Sequence, residues 1–229
     1  MMKKIVLLRH GESLWNKQNL FSGWTDVDLT YKGVEDATLM GHRLKSQNIQ
    51  FARAYSSVLK RAALTLDIIL EEIGQQSIPI IRDWRLNERH YGKLQGKSKI
   101  DILDELSWEQ LHSYRRGYYT RPAALEMDDP RNAFFDPKYA SIPKELLPRT
   151  ESLDDAYKRI IPYLEGHVIS SLKDNENIIL SLHGNTLRTI LKYLDKLSDS
   201  EIEGVEFAIG DILVYNLDND NNVISKEHI

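Results

Sequence analysis

Two stretches of the chain place a histidine and a glycine directly after an apolar run. Residues 5–11 read Ile-Val-Leu-Leu-Arg-His-Gly, and residues 178–184 read Ile-Ile-Leu-Ser-Leu-His-Gly. Such runs are typical of buried parallel strands, and ligands of open α/β sheets bind where those strands end. Parallel pairing would bring His10 and His183 to one edge of a sheet. An imidazole at that edge can act as a nucleophile towards phosphorus.

Two arginines are predicted to lie near the same edge of the sheet. Arg9 precedes His10, and Arg61 lies in the first turn of a predicted helix that follows another strand. The helix dipole favours an acid at that position, so an arginine there is a candidate functional residue. Each residue alone is compatible with an ordinary turn or a solvated surface. Together they favour a phosphoryl-transfer site, because the transition state spreads charge over three oxygens that guanidinium groups can bind.

A metal centre is the competing interpretation of paired histidines. It requires a third ligand, often at the spacing His-x-x-x-His, and no two of the seven histidines are that close. The chain also has no cysteine, which removes thiolate ligands, cysteine nucleophiles and disulfides. We therefore predict no metal at the site.

Composition places the chain among ordinary globular proteins. The 229 residues are 41% hydrophobic and 28% charged with a net charge of −4, which indicates one folded domain over residues 1–229. The negative charge argues against nucleic acid or an anionic membrane as a partner. No apolar run approaches the ~18 residues of a membrane span, and the N-terminal run is too short for a secretory signal. We expect a cytoplasmic protein.

The apolar periodicity predicts the elements that position these residues. Strands and helices alternate over residues 5–81, which predicts parallel strands joined by right-handed crossovers. We predict strands at 5–8, 51–56, 78–81, 177–182 and 212–216, and helices at 31–47, 57–73, 98–106, 107–116, 152–172 and 186–194. The predicted N-caps are Thr30, Ser57, Ser107 and Ser152. The predicted fold class is α/β, a single domain whose mainly parallel sheet is flanked by helices.

Residues 84–149 interrupt this pattern and are predicted to form an insertion. Five of the seven prolines lie within residues 118–149, where neither a continuous helix nor a central strand can form. Phe134, Phe135 and Tyr139 offer apolar anchors, and long loops in compact domains are often lids or binding loops. We therefore predict a proline-rich insertion over the catalytic edge that walls a pocket.

A set of short motifs spans residues 4–217. They are Leu-Arg-His-Gly-Glu-Ser at 8–13, Asn16, Phe-Ser-Gly-Trp at 21–24, Asp-Leu-Thr at 28–30, Ser-Ser-Val-Leu-Lys-Arg-Ala at 56–62, Leu-Asn-Glu-Arg-His-Tyr-Gly at 86–92, Gly-Lys-Ser-Lys at 96–99, Tyr-Arg-Arg at 114–116, Leu-Pro-Arg-Thr-Glu-Ser-Leu at 147–153 and His-Gly-Asn-Thr-Leu-Arg at 183–188. Together they resemble the cofactor-dependent phosphoglycerate mutases of the histidine phosphatase superfamily. The Arg-His-Gly turn is typical of the whole superfamily, whereas Glu88 to Tyr91, Lys99 and the pair Arg115–Arg116 are typical of the mutases.

The resemblance implies an activity and a role for each matching residue. It implies interconversion of 3-phosphoglycerate and 2-phosphoglycerate in glycolysis, with 2,3-bisphosphoglycerate as the priming phosphoryl donor, no metal and a homodimer. It implies that His10 is phosphorylated, that Glu88 is the general acid and base, and that Arg9, Arg61 and a protonated His183 stabilise the transferring phosphoryl group. The substrate-contacting residues that it implies, besides these, are Ser13, Asn16, Ser22, Gly23, Tyr91, Lys99, Arg115, Arg116, Gly184 and Asn185.

The sequence departs from the family pattern in two places. Residues 206–210 read Glu-Phe-Ala-Ile-Gly where the family usually has Asn-Ile-Pro-Thr-Gly, and the chain ends at Ile229, short of the basic tail of many members. Both places bear on closure of the site. The sequence therefore leaves open the balance between phosphoryl transfer to the substrate and loss of the phosphoryl group to water. The alternatives are a histidine phosphatase that hydrolyses a small phosphorylated metabolite and a non-catalytic phospholigand-binding protein.

Overall fold

One six-stranded sheet forms the centre of the computed structural model, which describes residues 3–173 and 176–229. The strands are β1 (Lys3–Arg9), β2 (Arg53–Ser56), β3 (Ile80–Arg82), β4 (Asn177–Leu182), β5 (Ile212–Leu217) and β6 (Val223–His228). Their order is β3-β2-β4-β1-β5-β6. β3, β2, β4 and β1 are parallel, whereas β5 and β6 run antiparallel to their neighbours. The predicted α/β fold with a mainly parallel sheet is confirmed.

Helices cover both faces of the sheet. They are α1 (Leu14–Lys17), α2 (Tyr31–Ser46), α3 (Lys60–Glu72), α4 (Trp108–Arg116), α5 (Leu153–Tyr163) and α6 (Gly184–Leu194), and a π-helical turn (Leu164–Ile169) follows α5. The predicted caps of α2, α4 and α5 are confirmed, since the hydroxyls of Thr30, Ser107 and Ser152 each accept a backbone N–H of the first turn. Among the described residues, no helix is long and apolar enough to cross a bilayer.

The alternation of side chains along β1 divides the core into two layers. Ile5 and Leu7 pack with residues of α5 and α6 on one face of the sheet, whereas Val6 and Leu8 pack with residues of α2 and α3 on the other. All four side chains are buried. Helices on both faces explain why this strand is a continuous apolar run rather than an alternating one. The strand ends are thereby fixed between two packed layers.

Several predicted element boundaries were wrong. α3 begins at Lys60 with Leu59 at its N-cap and no side-chain cap bond, so Ser57 is not a helix cap. The predicted helix at 98–106 is a single 3₁₀ turn (Asp101–Asp104), and α6 begins two residues before the predicted start. β6 was not predicted, because its residues are exposed and carry little apolar pattern. The predicted strands 51–56 and 78–81 are β2 and β3 with shorter or shifted bounds.

The insertion has two parts with different positions. Residues 84–116 contribute side chains, including those of Glu88 and Lys99, to the cavity that His10 lines. The proline-rich part packs behind that wall, where the ring of Tyr139 lies 5.4 Å from that of Trp24 and its hydroxyl accepts a hydrogen bond from Asn87. The predicted insertion therefore contributes to the wall of the cavity through residues 84–116, whereas its proline-rich part supports them from behind.

Candidate active site

The two His-Gly turns meet at the carboxyl edge of the sheet. β1 and β4 are parallel neighbours in which Arg9 pairs with Leu182, so the residues that follow lie side by side. The rings of His10 and His183 are 5.1 Å apart between centroids, in an edge-to-face arrangement. Gly11 is required at this turn, since a Cβ atom there would lie 2.1 Å from the carbonyl oxygen of Gly33. The predicted convergence of the two histidines is confirmed.

His10 is held as a neutral imidazole with one defined tautomer. Its Nδ1 lies 2.7 Å from the carbonyl oxygen of Gly11. A carbonyl can only accept, so Nδ1 carries the proton and the lone pair is on Nε2. Burial, followed by the charges of Arg61 and Arg9, holds the pKa of His10 well below its ordinary value. The ring is therefore a neutral nucleophile at neutral pH, with its lone pair on Nε2.

His183 is also neutral, which differs from the expectation of a protonated residue. Burial is the main cause that holds the pKa of His183 well below its ordinary value, and the nearby charges of Arg61 and Arg9 act in the same direction. Its Nε2 lies 2.7 Å from the hydroxyl of Ser57, which itself accepts the backbone N–H of Leu59. This network suits donation from Ser57 to Nε2, which leaves the proton of His183 on Nδ1. His183 can thus act as a hydrogen-bond donor without carrying a charge.

Two arginines, the buried Arg61 and the half-buried Arg9, flank the histidines and are oriented by backbone carbonyls. Arg61 donates to the carbonyl oxygens of Thr25 (2.9 Å) and Gly23 (2.8 Å), and Arg9 donates to that of Phe207 (2.7 Å). Burial lowers the pKa of Arg61 to about 10, and burial also lowers that of Arg9. Both guanidinium groups remain charged at neutral pH, so they present fixed positive charge beside the nucleophile.

Glu88 presents its carboxylate to the same cavity and is held by two backbone amides. The N–H of Arg89 donates to one oxygen at 2.7 Å, and the N–H of Asn185, at the start of α6, donates to the other at 3.3 Å. The backbone carbonyl of Glu88 is fixed as well, by Trp24 Nε1 and by Arg159. A buried carboxylate fixed on both sides can exchange a proton without a change of position.

The cavity has a volume of about 220 Å³ and is lined mainly by residues that the sequence predicted. Those residues are Arg9, His10, Asn16, Ser22, Gly23, Arg61, Glu88, Tyr91, Lys99, Arg115, Arg116, Gly184 and Asn185. Two predicted residues do not line it. Ser13 caps α1, where its hydroxyl accepts from the N–H of Asn16 and donates to Oδ1 of the same residue. His183 is fully buried beside His10.

The lining is strongly cationic although the whole chain is acidic. Six lining side chains are basic, namely Arg9, Arg61, Lys99, Arg115, Arg116 and Arg188, against the two carboxylates of Glu88 and Glu206. Such a cavity suits a ligand with more than one anionic group. Within residues 3–173 and 176–229, no group of three or more His, Cys, Asp or Glu side chains is arranged to hold a metal ion.

The sequence matches the profile of the histidine phosphatase superfamily (branch 1) over residues 5–133. The chain belongs to this superfamily. It is also 46% identical over 224 residues to the 2,3-bisphosphoglycerate-dependent phosphoglycerate mutase of Parabacteroides distasonis, which covers 98% of this chain and 90% of that protein. The family that the sequence motifs resembled is therefore confirmed.

Solved structures of the histidine phosphatase fold superpose over nearly the whole chain. The phosphoglycerate mutase of Bacillus anthracis has a TM-score of 0.67 at 23% identity and covers 100% of this chain and 92% of its own. A mycobacterial glucosyl-3-phosphoglycerate phosphatase has a TM-score of 0.74 at 20% identity, with 100% and 97% covered. At these identities the likeness concerns the fold.

Sequence reasoning missed several residues that build this histidine phosphatase site. Arg188, on α6, lines the cavity and donates to Oδ1 of Asn185 at 3.0 Å. Arg89 lies over the ring of Tyr91, 4.5 Å from its centroid. Ser57 binds His183 instead of capping a helix. Two signals pointed to Arg188, namely its place at the end of the motif at 183–188 and its position one turn after Asn185, which puts both side chains on one helix face.

Proposed function

We propose that this protein is a 2,3-bisphosphoglycerate-dependent phosphoglycerate mutase that interconverts 3-phosphoglycerate and 2-phosphoglycerate in glycolysis and gluconeogenesis. The observation that carries the proposal is the combination, in one cavity, of a neutral His10 with Lys99, Arg115 and Arg116. Hydrolysis of a phosphate ester needs only the reacting end of such a site. A mutase must also hold the non-reacting end of a doubly charged substrate while the phosphoryl group moves.

The side chains fit 2,3-bisphosphoglycerate, which supplies the priming phosphoryl group when bound. Six basic side chains surround the cavity. Arg9 Nε and Arg188 Nε are buried donors for which the described part of the chain offers no partner. Arg9 and Arg61 would hold the phosphoryl group next to His10, and Lys99, Arg115 and Arg116 the far end of the molecule. Buried donors without a partner are costly unless a ligand satisfies them.

His10 begins the reaction as the nucleophile. Its Nε2 lone pair attacks phosphorus, the Nε2–P bond forms and the P–O bond to the donor oxygen breaks. The Nδ1 proton stays in its hydrogen bond to the carbonyl of Gly11, so the phosphorylated ring keeps its orientation. Arg9 and Arg61 line the same cavity as His10 and would stabilise the charge on the equatorial oxygens.

Glu88 moves the proton in each transfer. When a hydroxyl oxygen of phosphoglycerate attacks the phosphorus on His10, the Nε2–P bond breaks and the carboxylate of Glu88 accepts the hydroxyl proton. In the opposite transfer, Nε2 attacks, the P–O bond breaks and Glu88 returns the proton to the departing oxygen. The two amides that fix the carboxylate keep it in place for both directions.

An isomerisation assay tests the proposal. The protein is given 3-phosphoglycerate, and 2-phosphoglycerate and inorganic phosphate are followed together, with and without catalytic 2,3-bisphosphoglycerate. We expect 2-phosphoglycerate to form at a rate that rises with the bisphosphate. Release of phosphate without 2-phosphoglycerate would identify a histidine phosphatase, and binding without either product would identify a non-catalytic protein.

Intact-mass measurement tests the role of His10. After brief exposure to 2,3-bisphosphoglycerate, we expect one acid-labile phosphate on the protein and none on His10→Ala. A phosphate that persists in the variant would reject His10 as the nucleophile. We further propose that the reaction needs no metal, since guanidinium groups supply the positive charge. Loss of activity in EDTA that one divalent metal restores would refute this part.

The cellular setting forms part of the proposal. A mutase of glycolysis would act in the cytoplasm, as a homodimer and as a single catalytic domain that includes residues 84–149, with phosphoglycerate rather than nucleic acid or membrane as its partner. Light scattering after gel filtration measures the mass of the particle. A mass near that of one chain at micromolar concentration would refute the dimer and leave the catalytic proposal intact.

A further inference from the structure

One segment of the cavity wall contacts two of its arginines. The mouth segment, residues 205–208, lies between the 3₁₀ turn Glu201–Gly204 and β5. The carbonyl of Phe207 accepts a hydrogen bond from Arg9 (2.7 Å), and that of Val205 accepts one from Arg116 (3.3 Å). The carboxylate of Glu206 pairs with the guanidinium of Arg116. The mouth segment is therefore in direct contact with two of the arginines that line the cavity.

Glu206 is unexpected at this position. It lines a cavity with six basic side chains, and a carboxylate there repels the anionic ligands that those side chains would bind. Its side chain is 78% exposed, so the pair with Arg116 is a surface ion pair. Such pairs contribute little to the stability of a fold. The stability of the fold therefore does not explain the contact between Glu206 and Arg116. The position of this contact in the cavity wall indicates that it affects ligand binding.

We propose that Glu206 sets the affinity of the site by competing with the substrate for Arg116. This inference rests on the proposed function, in which Arg116 holds the non-reacting anionic group of phosphoglycerate. Nη1 of Arg116 donates to the carbonyl of Val205 and Nη2 pairs with the carboxylate of Glu206, so the edge of the guanidinium formed by Nη1 and Nη2 is occupied. A substrate group can bind this edge in the strong bidentate geometry only when the carboxylate of Glu206 leaves it. Its exposure allows it to swing into solvent.

Glu206→Gln removes the competing charge and keeps the size of the side chain. We expect 3-phosphoglycerate to bind about two- to five-fold more tightly, the change that corresponds to loss of one exposed ion pair. The gain should shrink as ionic strength rises, because salt screens exposed charges. Binding is measured by titration calorimetry on unphosphorylated protein, so that no turnover contributes to the signal.

Three controls separate this competition from a general effect of charge. Glu203→Gln removes an exposed carboxylate from the neighbouring turn and should leave the dissociation constant unchanged. Inorganic phosphate, which has no second anionic group, should gain less from E206Q than 3-phosphoglycerate does. In an Arg116→Ala background, E206Q should give no gain, because the contested guanidinium is absent.

The outcomes distinguish the inference from the proposed function. Equal or weaker binding of 3-phosphoglycerate by E206Q, with normal binding by the parent chain, overturns the inference alone. A gain that persists in the Arg116→Ala background also overturns it, because the effect would then not pass through Arg116. If the parent chain does not bind 3-phosphoglycerate at all, the proposed function fails and the inference fails with it. A gain confined to the chain that retains Arg116 supports the competition.

Discussion

Three histidines buried in the neutral state should make this protein acid-sensitive. His10, His90 and His183 are 3%, 0% and 0% exposed. Burial, helped by the charges of Arg159 and Arg131, lowers the pKa of His90 to about 3. The pKa values of His10 and His183 are also held well below the ordinary value, by burial first and by neighbouring arginines second. None of the three rings takes up a proton in the folded state near pH 6.

The sign and the size of the effect follow from proton linkage. In the unfolded chain each histidine has a pKa of about 6.5. Below that pH the unfolded state therefore binds protons that the native state does not bind. The contribution of each ring to stability is complete above that pKa and is lost as the pH falls below it. When the pH falls from 7.5 to 5.5, each buried histidine should lower the free energy of unfolding by about 1.4 kcal/mol, and the three together by about 4 kcal/mol. The whole free energy of unfolding of a typical domain is only about 5–15 kcal/mol.

Urea unfolding at pH 7.5, 6.5 and 5.5, in buffers without phosphate, measures the loss directly. His90→Gln is the informative variant, because His90 does not line the cavity and glutamine keeps an acceptor for the N–H of Gly92. It should reduce the acid-induced loss by about one third. His112→Gln, at an exposed position, supplies the baseline for the substitution itself. A loss below about 1.5 kcal/mol in the parent, or an unchanged loss in His90→Gln, would refute the reasoning.

Three further substitutions test other parts of the structure. Arg159→Ala leaves the buried carboxylate of Glu151 without its cationic partner. The free energy of unfolding in urea should therefore fall by about 3–5 kcal/mol, and by less when Glu151→Gln is added. Gly11→Ala places a Cβ atom 2.1 Å from a backbone oxygen, and a thermal melt should show a loss of about 1–3 kcal/mol, whereas an unchanged melting temperature would contradict the contact. Arg116→Ala should raise the KM for phosphoglycerate and increase phosphate release relative to isomerisation, while the catalytic histidine is still phosphorylated; wild-type isomerisation without added leak would reject its role.

The parts of the site that lie at strand ends could be predicted from the sequence. The apolar runs before His10 and His183 identify two parallel strands, and parallel strands bring their carboxyl ends to one edge. The register of β1 and β4 then fixes the distance between the rings. The motif resemblance also placed Glu88, Lys99 and Arg115 around the same cavity, although they lie on an insertion without regular pattern. Local pattern and family motifs were sufficient for these residues.

Residues that act through long-range contacts could not be predicted in the same way. Ser57 precedes an apolar helical stripe, which by local rules indicates an N-cap, yet its hydroxyl binds a histidine 126 positions further on. Arg188 falls within a helix, where an arginine is usually solvated, but it is 2% exposed and donates to the carbonyls of Arg116 and Ile202. Local propensity indicates which conformations and contacts a segment can adopt, and tertiary contacts determine which of them is present in the fold.

The way in which the arginines are held explains how an acidic chain can keep a cationic cavity. Arg9, Arg61 and Arg188 donate to backbone carbonyl oxygens, which orient a guanidinium group but leave its net charge in place. Burial lowers the pKa of Arg61 and of Arg188 to about 10, so both stay protonated at neutral pH. Arg116 also donates to a backbone carbonyl, that of Val205, but in addition the carboxylate of Glu206 pairs with it. Charges fixed by carbonyls are available to the transition state from the start, whereas the charge of Arg116 becomes available only when its carboxylate partner leaves.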